Sequence, residues 1–464
     1  MNVDGAELEY TTHLPFPRSE VFRWHERPGA FERLTPPWSR VTLERDGSGV
    51  RDGARVTLRV RAGPIQFDWA LRHLDYREGE RFCDEQTSGP FRAWRHEHRF
   101  ADHADGGTSL EDLIRYSPPL GAAGRAFVPS IVNRELERLF AFRHRRLAND
   151  LSRHAAWQDR PRLTVAVSGA SGLVGSALTH FLTTGGHTVV PMIRRGEGGG
   201  GPVIRWDPEA GRIDAAALSE VDAVVNLAGE PMAPGRWTAA RKKSIYRSRV
   251  RGTGLIAGAM AAMPDGPRTL VSASAVGYYG DRGDQRLVET DSGGRGFLSE
   301  VCQAWEGATA AAEKAGVRTV HLRTGVVLTP AGGALGQMLT PFLAGVGGRI
   351  GSGAQYLSWI DLDDLLGLIL HSLYTTGVEG PLNATAPNPV TNSTFTSALG
   401  RVLRRPTVFP LPALAVRAAF GEMGREALLE GQRVIPRRAM DSGFVFHFEG
   451  VEESLRFQLG RMTT

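Results

Sequence analysis

The stretch Val165-Ala-Val-Ser-Gly-Ala-Ser-Gly-Leu-Val-Gly-Ser-Ala-Leu178 decides how the rest of the chain is read. Its first residues are small or β-branched and apolar, as in a buried strand. Gly169, Gly172 and Gly175 follow, and an amphipathic segment begins at Leu173. Strand, tight glycine turn and helix form the unit that offers free backbone N–H groups and a positive helix end to a pyrophosphate. Gly169 suits the sharp turn. Gly172 lets the backbone approach a phosphate, and Gly175 lets the helix lie close to the strand. With 56 glycines in 464 residues, this spacing alone is weak. The flanking strand and helix patterns favour a phosphate cradle over a structural turn.

Strand and helix patterns alternate from about residue 163 onward, which predicts a parallel sheet with crossover helices. The second strand, Thr188-Val-Val-Pro-Met-Ile193, ends in Arg194-Arg195. Such a strand end, about 20 residues past the turn, meets the adenosine ribose. Two arginines there match a 2′-phosphate better than a 2′-hydroxyl. NADP(H) is therefore expected, with NAD(H) as the alternative; two surface arginines are the competing reading. The Gly196-Glu-Gly-Gly-Gly-Gly201 run that follows could order on nucleotide binding. Val221-Asp-Ala-Val-Val-Asn-Leu-Ala-Gly229 is another buried strand, with Asn226, Ala228 and Gly229 at its carboxyl end. Leu270-Val-Ser-Ala-Ser-Ala-Val-Gly-Tyr-Tyr-Gly280 places Ser272 and Ser274 near a third strand end. Carboxyl ends of strands are where this architecture binds ligands.

Composition narrows the setting. Apolar residues make up 41% and charged residues 23%, which suits a globular protein. The net charge of +5 is small for this length and argues against a nucleic-acid footprint. Lysine is confined to Lys242, Lys243 and Lys314. Cys83 and Cys302 lie far apart, so neither a disulfide framework nor a Cys-rich zinc site is expected, and no metal is assigned. The opening Met-Asn-Val-Asp-Gly-Ala-Glu lacks an apolar core, and no run of about 18 apolar residues occurs. A cytoplasmic protein without a membrane span is expected.

The first 150 or so residues read differently. A strand over Glu7–Leu14 precedes two short helices and then six strand patterns between Val41 and Tyr116. A long helix is predicted from about Ser130 to His154. This order resembles the helix-grip fold of the START-like, polyketide-cyclase-like (SRPBCC) superfamily, with Phe91-Arg-Ala-Trp-Arg-His-Glu-His-Arg-Phe100 among the segments that carry it. The resemblance implies an apolar cavity for a small hydrophobic ligand. Trp94, His96, His98 and Phe100 share one strand face. They could line that cavity, but neither face is clearly apolar, and the pattern favours the two histidines facing water beside Arg95 and Arg99. Asp112 is likewise expected at the surface. The domains are read as 1–155, a linker at 156–162, and 163–464, with about 405–464 on the substrate side.

The turn of Gly169, Gly172 and Gly175, the Asn226-Leu-Ala-Gly229 strand end and the Ser274 strand resemble an atypical or extended short-chain dehydrogenase/reductase. Trp206-Asp-Pro208, Gly229-Glu-Pro231, Trp305-Glu306 and Ser358-Trp-Ile-Asp361 narrow the likeness to the epimerase-like, NAD-dependent epimerase/dehydratase-type subfamily, with its short C-terminal domain of unknown function at about Pro412–Phe457. The resemblance implies an α/β Rossmann fold, a doubly wound parallel sheet. It implies cofactor contacts at Gly169, Ser171, Gly172, Leu173, Val174, Gly175, Arg194, Arg195, Asn226, Ala228 and Gly229, and an adenine contact at Asp214. Reductases of this superfamily use a Tyr with a Lys four residues on. Here the aligned positions are Leu298 and Cys302, so the usual pair is missing. Ser274 remains as a hydroxyl, with Tyr278 or Tyr279 as a substitute acid. Glu300 and Glu306 are expected to be structural, and Cys302 to be packing.

The expected function is NADP(H)-dependent oxidoreductase or epimerase-like chemistry on a small molecule, with the N-terminal domain holding a hydrophobic ligand. A non-catalytic NADP(H) sensor or scaffold is the first alternative. Cyclase or dehydratase chemistry at His96 or His98 is the second.

Overall fold

The computed structural model describes residues 5–45, 49–62, 65–119, 121–194, 201–233 and 235–462. Arg195 and most of the glycine run after it lie outside the described residues. The chain divides into two compact units, one built on residues 1–159 and the other on 160–461.

The first unit opens with β1 (Ala6–Leu14), α1 (Arg18–Glu26) and α2 (Ala30–Leu34). Strands β2 (Val41–Arg45), β3 (Arg55–Ala62), β4 (Ile65–Arg77), β5 (Arg81–Ser88), β6 (Ala93–Asp102) and β7 (Thr108–Ser117) follow. All seven form one antiparallel sheet in the order β1-β7-β6-β5-β4-β3-β2. Helix α3 (Gly121–Ala155) closes the unit. It starts nine residues before the predicted Ser130, because Pro129 sits inside it rather than at its head. A proline reads as a boundary in sequence, since it lacks an N–H and disfavours helix before it. Leu136, Phe140, Leu147 and Leu151 of α3 are buried with Phe22, Trp94, Phe100 and Ile114. Arg33 and Asp150 form a buried bidentate pair at 2.7 and 2.6 Å between α2 and α3.

The second unit runs β8 (Thr164–Ser168), α4 (Leu173–Thr184), β9 (Thr188–Ile193), β10 (Ile204–Asp207), β11 (Arg212–Ile213), α5 (Ala215–Ser219), β12 (Ala223–Asn226), α6 (Ala239–Ala261) and β13 (Thr269–Ala275). After β14 (Arg286–Leu287) come α7 (Phe297–Gly307), α8 (Ala310–Lys314), β15 (Arg318–Thr324), β16 (Val326–Leu328) and α9 (Gly333–Leu343). Then follow β17 (Tyr356–Leu357), β18 (Trp359–Asp361), α10 (Leu362–Tyr374) and β19 (Gly380–Ala384). The main sheet has the order β11-β10-β9-β8-β12-β13-β15-β19 and is parallel from β10 to β19. The strand order reverses between β8 and β12, the crevice where doubly wound sheets bind ligands. The unit is thus a Rossmann-like α/β fold. No helix among the described residues is long and apolar enough to cross a membrane.

The C-terminal segment is fastened by buried carboxylates. Asp364 accepts the backbone N–H of His447 (2.9 Å) and of Phe448 (3.0 Å). Asp361 accepts from the side chains of Ser454 and Gln458. Asp364→Ala should cost roughly 2–3 kcal/mol, since both N–H groups lose a charged acceptor in a dry interior. An unchanged denaturation midpoint for this unit would contradict that.

Candidate functional site

The glycine turn sits between β8 and α4. Gly169 has φ +70°, and a Cβ there would lie 3.0 Å from Leu227 C and 3.1 Å from Ala228 N. A Cβ on Gly175 would lie 2.1 Å from Gly169 O. Glycine at both places is therefore a packing requirement. Ser171 and Gly172 are exposed at the head of α4, and Leu173 and Val174 form its first turn. The first N–H groups of a helix have no intrahelical acceptor. A Cβ on Gly332 or Gly333 would be 3.4 Å from Leu173, so the head of α9 borders the turn. Arg194 is exposed just beyond β9, two residues past Met192, which pairs with Ser168 at the end of β8. The turn and Arg194 thus lie at the same end of neighbouring strands. Arg195 lies outside the described residues.

Below the turn is a polar knot. Ser168 Oγ donates to Asn226 Oδ1 (2.6 Å) and accepts the N–H of Leu227 and of Ala228 (3.1 and 3.2 Å). Asn226 Nδ2 donates to Thr253 Oγ1 at 2.8 Å. Asn226 is fully buried. Its side chain holds the strand ends together, whereas a direct cofactor contact was expected. Ala228 and Gly229 lie closer to the surface. Asp214 also has local work: its carboxylate caps α5 by accepting the N–H of Ala217.

At the end of β13 a second network surrounds Ser274. Ser274 Oγ donates to Glu306 Oε1 (2.7 Å). Arg323 holds the same carboxylate in a fork, at 2.9 and 2.8 Å. Arg323 Nη1 donates to Tyr279 Oη (3.0 Å), which donates to Asn383 Oδ1 (2.7 Å). The guanidinium carbon lies 3.4 Å from the centre of the Tyr278 ring. Tyr279 is wholly buried, and burial pushes its phenol up to about 12. It was expected as a substitute acid; this setting makes it a brace for Arg323. Tyr278 is partly exposed.

Leu298, Cys302 and Glu306 follow one another at four-residue steps along one side of α7. Leu298 packs on Gly277, where a Cβ would meet it at 3.1 Å. Cys302 is buried, and burial pushes its thiol up to about 12, so it is no thiolate nucleophile near neutral pH. Glu300 is exposed. Glu426, from the C-terminal segment, accepts the N–H of Phe297 (3.2 Å) and of Leu298 (3.0 Å) at the head of α7. An anion there satisfies orphan donors and the helix dipole.

Known proteins show what this arrangement belongs to. The model of the NAD dependent epimerase/dehydratase family matches residues 165–381. Two models for domains of unknown function match residues 39–151 (DUF8410) and 411–458 (DUF1731). The epimerase family protein Mb2239 of Mycobacterium bovis is 47% identical over 297 residues, spanning 64% of this chain and 98% of that protein. The chain belongs to the NAD dependent epimerase/dehydratase family. Human epimerase family protein SDR39U1 is 39% identical over 299 residues, 63% of this chain and 99% of that one. The epimerase fold extends to solved relatives. A nucleoside-diphosphate sugar epimerase from Corynebacterium glutamicum aligns over 98% of this chain and 90% of its own, with 33% identity and a TM-score of 0.80. The human protein, solved with NADPH, aligns over 64% of this chain and 99% of its own, with 36% identity and a TM-score of 0.59.

In this epimerase-family chain, Glu306 has the structural role expected of it, and its partners are Arg323 and Ser274 from distant strands. One signal was available: Glu306 continues the Leu298–Cys302 row on α7, and a carboxylate on a buried face needs a cation.

The first unit also departs from expectation. His96, His98 and Asp112 are all buried, where a water-facing His pair and a surface carboxylate were expected. Alternation turns Trp94, His96, His98 and Phe100 inward together, and His96 hydrogen-bonds Asp112 on the neighbouring strand. Burial would raise the Asp84 carboxyl, yet His96 and His98 beside it bring it down to about 2. A small cavity beside them is walled by Leu34, Leu110, Phe140 and Leu147. No metal ligands were expected, yet Asp84, His96 and His98 bring donor atoms within 4.8 Å of one another, and so do the exposed His13, His103 and Asp105.

Proposed function

We propose that the second unit binds NADP(H), with NAD(H) as the weaker alternative, and performs oxidoreductase or epimerase-like chemistry on a small molecule. The observation that carries this reading is the cradle in which a Cβ on Gly175 would fall 2.1 Å from Gly169 O. The NADPH bound to the human relative supports it. Ser171, Gly172, Leu173, Val174, Ala228 and Gly229 would hold the dinucleotide, with Arg194 and Arg195 at its 2′-phosphate. Such a cofactor supplies hydride when bound. Among the chain's own groups, Ser274 is held by Glu306, and Tyr278 is the less buried of the two tyrosines. These two are the proposed substrate-facing hydroxyls.

The same proposal reads residues 1–155 as a START-like helix-grip domain for a hydrophobic ligand, joined by 156–162 to 163–464. A seven-stranded antiparallel sheet with a 35-residue helix supports the helix-grip part. Two buried free cysteines, Cys83 and Cys302, support a cytoplasmic setting. A second reading, a dinucleotide sensor without turnover, is favoured by the apolar Leu298 and buried Cys302 at the positions of the usual Tyr and Lys.

Fluorescence titration tests the cofactor. Arg194→Ala should weaken NADPH roughly 10–100-fold, as expected for a charge-assisted contact to phosphate, and NADH hardly at all. Equal losses would remove the 2′-phosphate assignment. Turnover is tested with aldehydes, ketones and nucleotide sugars, following NADPH absorbance. Consumption that falls with Ser274→Ala supports catalysis. Tight binding with no consumption across the panel supports the sensor.

A further inference from the structure

The first unit carries a second concentration of chemistry. Asp84 lies on β5 and His96 on β6, directly opposite in the ladder, with His98 two residues on. All three residues are buried under the sheet face that α3 covers, at 8%, 4% and 9% exposure. Asp84 Oδ2 lies 3.2 Å from His96 Nδ1 and 3.9 Å from His98 Nε2. A tetrahedral ion with bonds of about 2.1 Å keeps its donors about 3.4 Å apart. The two separations from Asp84 bracket that value, and all three donor atoms lie within 4.8 Å of one another.

The opposite nitrogens of both rings meet one carboxylate. His96 Nε2 is 3.0 Å and His98 Nδ1 2.6 Å from Asp112 Oδ1. Asp112 Oδ2 is held in turn by His144 Nε2 of α3 at 2.8 Å. A carboxylate behind a ligating imidazole fixes its tautomer and raises its basicity. His96 Nε2 is hydrogen-bonded to Asp112, which turns the His96 Nδ1 lone pair to the Asp84 side, whereas His98 Nδ1 approaches the same carboxylate without hydrogen-bond alignment and its Nε2 lies 3.9 Å from Asp84 Oδ2.

We propose that Asp84, His96 and His98 form a binding site for a divalent transition ion of the zinc class, with Asp112 as the orienting carboxylate. Two imidazoles and a carboxylate are a zinc-type donor set, and three protein donors leave one position for water or a small ligand. Arg143, whose Nε donates to Leu34 O, and His25 line the adjoining cavity and complete its charged and titratable surroundings. The ion's competitor is a proton shared between the rings and the two carboxylates.

The test uses the full-length protein, stripped with a chelator and titrated with Zn2+ alone, then with Co2+ as a spectroscopic stand-in. One ion per chain at micromolar affinity or tighter is expected, with the strong visible bands of four-coordinate Co2+. Asp84→Asn and His98→Gln should abolish binding. Asp112→Asn should weaken it by about 10–100-fold, as removal of an orienting carboxylate does. His103→Ala, in the exposed His13–His103–Asp105 group, should leave stoichiometry unchanged. Circular dichroism checks that the variants fold. Wild-type protein that takes up no stoichiometric ion overturns the proposal and leaves the cluster holding a proton. Binding lost with His103→Ala overturns it too, as an adventitious surface site. Both outcomes are read without relying on a variant of the cluster itself.

Discussion

Arg323→Met should destabilise the second unit by about 3–5 kcal/mol. The change strips the forked guanidinium from buried Glu306 and leaves only His321, 3.9 Å away, and a poorly paired interior charge is costly. The pair is enclosed, with side chains 3% and 10% exposed, so solvent screening offers little relief. The substitution also ends two further contacts, to the Tyr279 hydroxyl and across the Tyr278 ring. The double variant Arg323→Met/Glu306→Leu should recover much of the loss, because an apolar pair of similar size removes the stranded charge. Denaturant unfolding of the single and double variants measures the coupling. A single-variant loss below about 1 kcal/mol would mean that the pair is far more hydrated than its burial implies.

Gly175→Ala should lower NADPH affinity by up to about 100-fold. The new Cβ would meet the Gly169 carbonyl at 2.1 Å, and both partners are backbone. Helix α4 must move off the turn, and overpacking of this kind costs about 1–3 kcal/mol. Gly172→Ala is the companion test. Its Cβ meets only Gly169 O, at 3.1 Å, and the residue is exposed. It should lower affinity by crowding the phosphate while leaving the melting temperature nearly unchanged. Gly175→Ala should lower both. Unchanged NADPH affinity in Gly175→Ala would remove the cradle as the binding site.

The two glycines show which parts of the site were legible. A positive φ at Gly169 and a close approach at Gly175 are demands within one strand–turn–helix unit, and spacing records them. Ser274 was legible as a hydroxyl at a strand end, though its partner was not. Glu306 is 32 residues away, and Tyr279 meets Asn383 across 104. No local pattern shows that a tyrosine beside a strand end will be buried and braced by an arginine. Asn226 misled for the same reason: its place at the strand end was right, while its partners Ser168 and Thr253 turned it inward.

The β6 strand shows this most directly. Alternation alone put Trp94, His96, His98 and Phe100 on one face. Which face met α3 depended on the whole sheet, and on Asp84 and Asp112 being there to receive the imidazoles. The sequence by itself determined the strand and helix periods and the glycine turn with its neighbouring arginine. All of these are properties of a residue and its near neighbours. Only the tertiary structure decided which polar groups are buried. Burying such a group is favourable only when a partner, often distant in sequence, arrives to satisfy it.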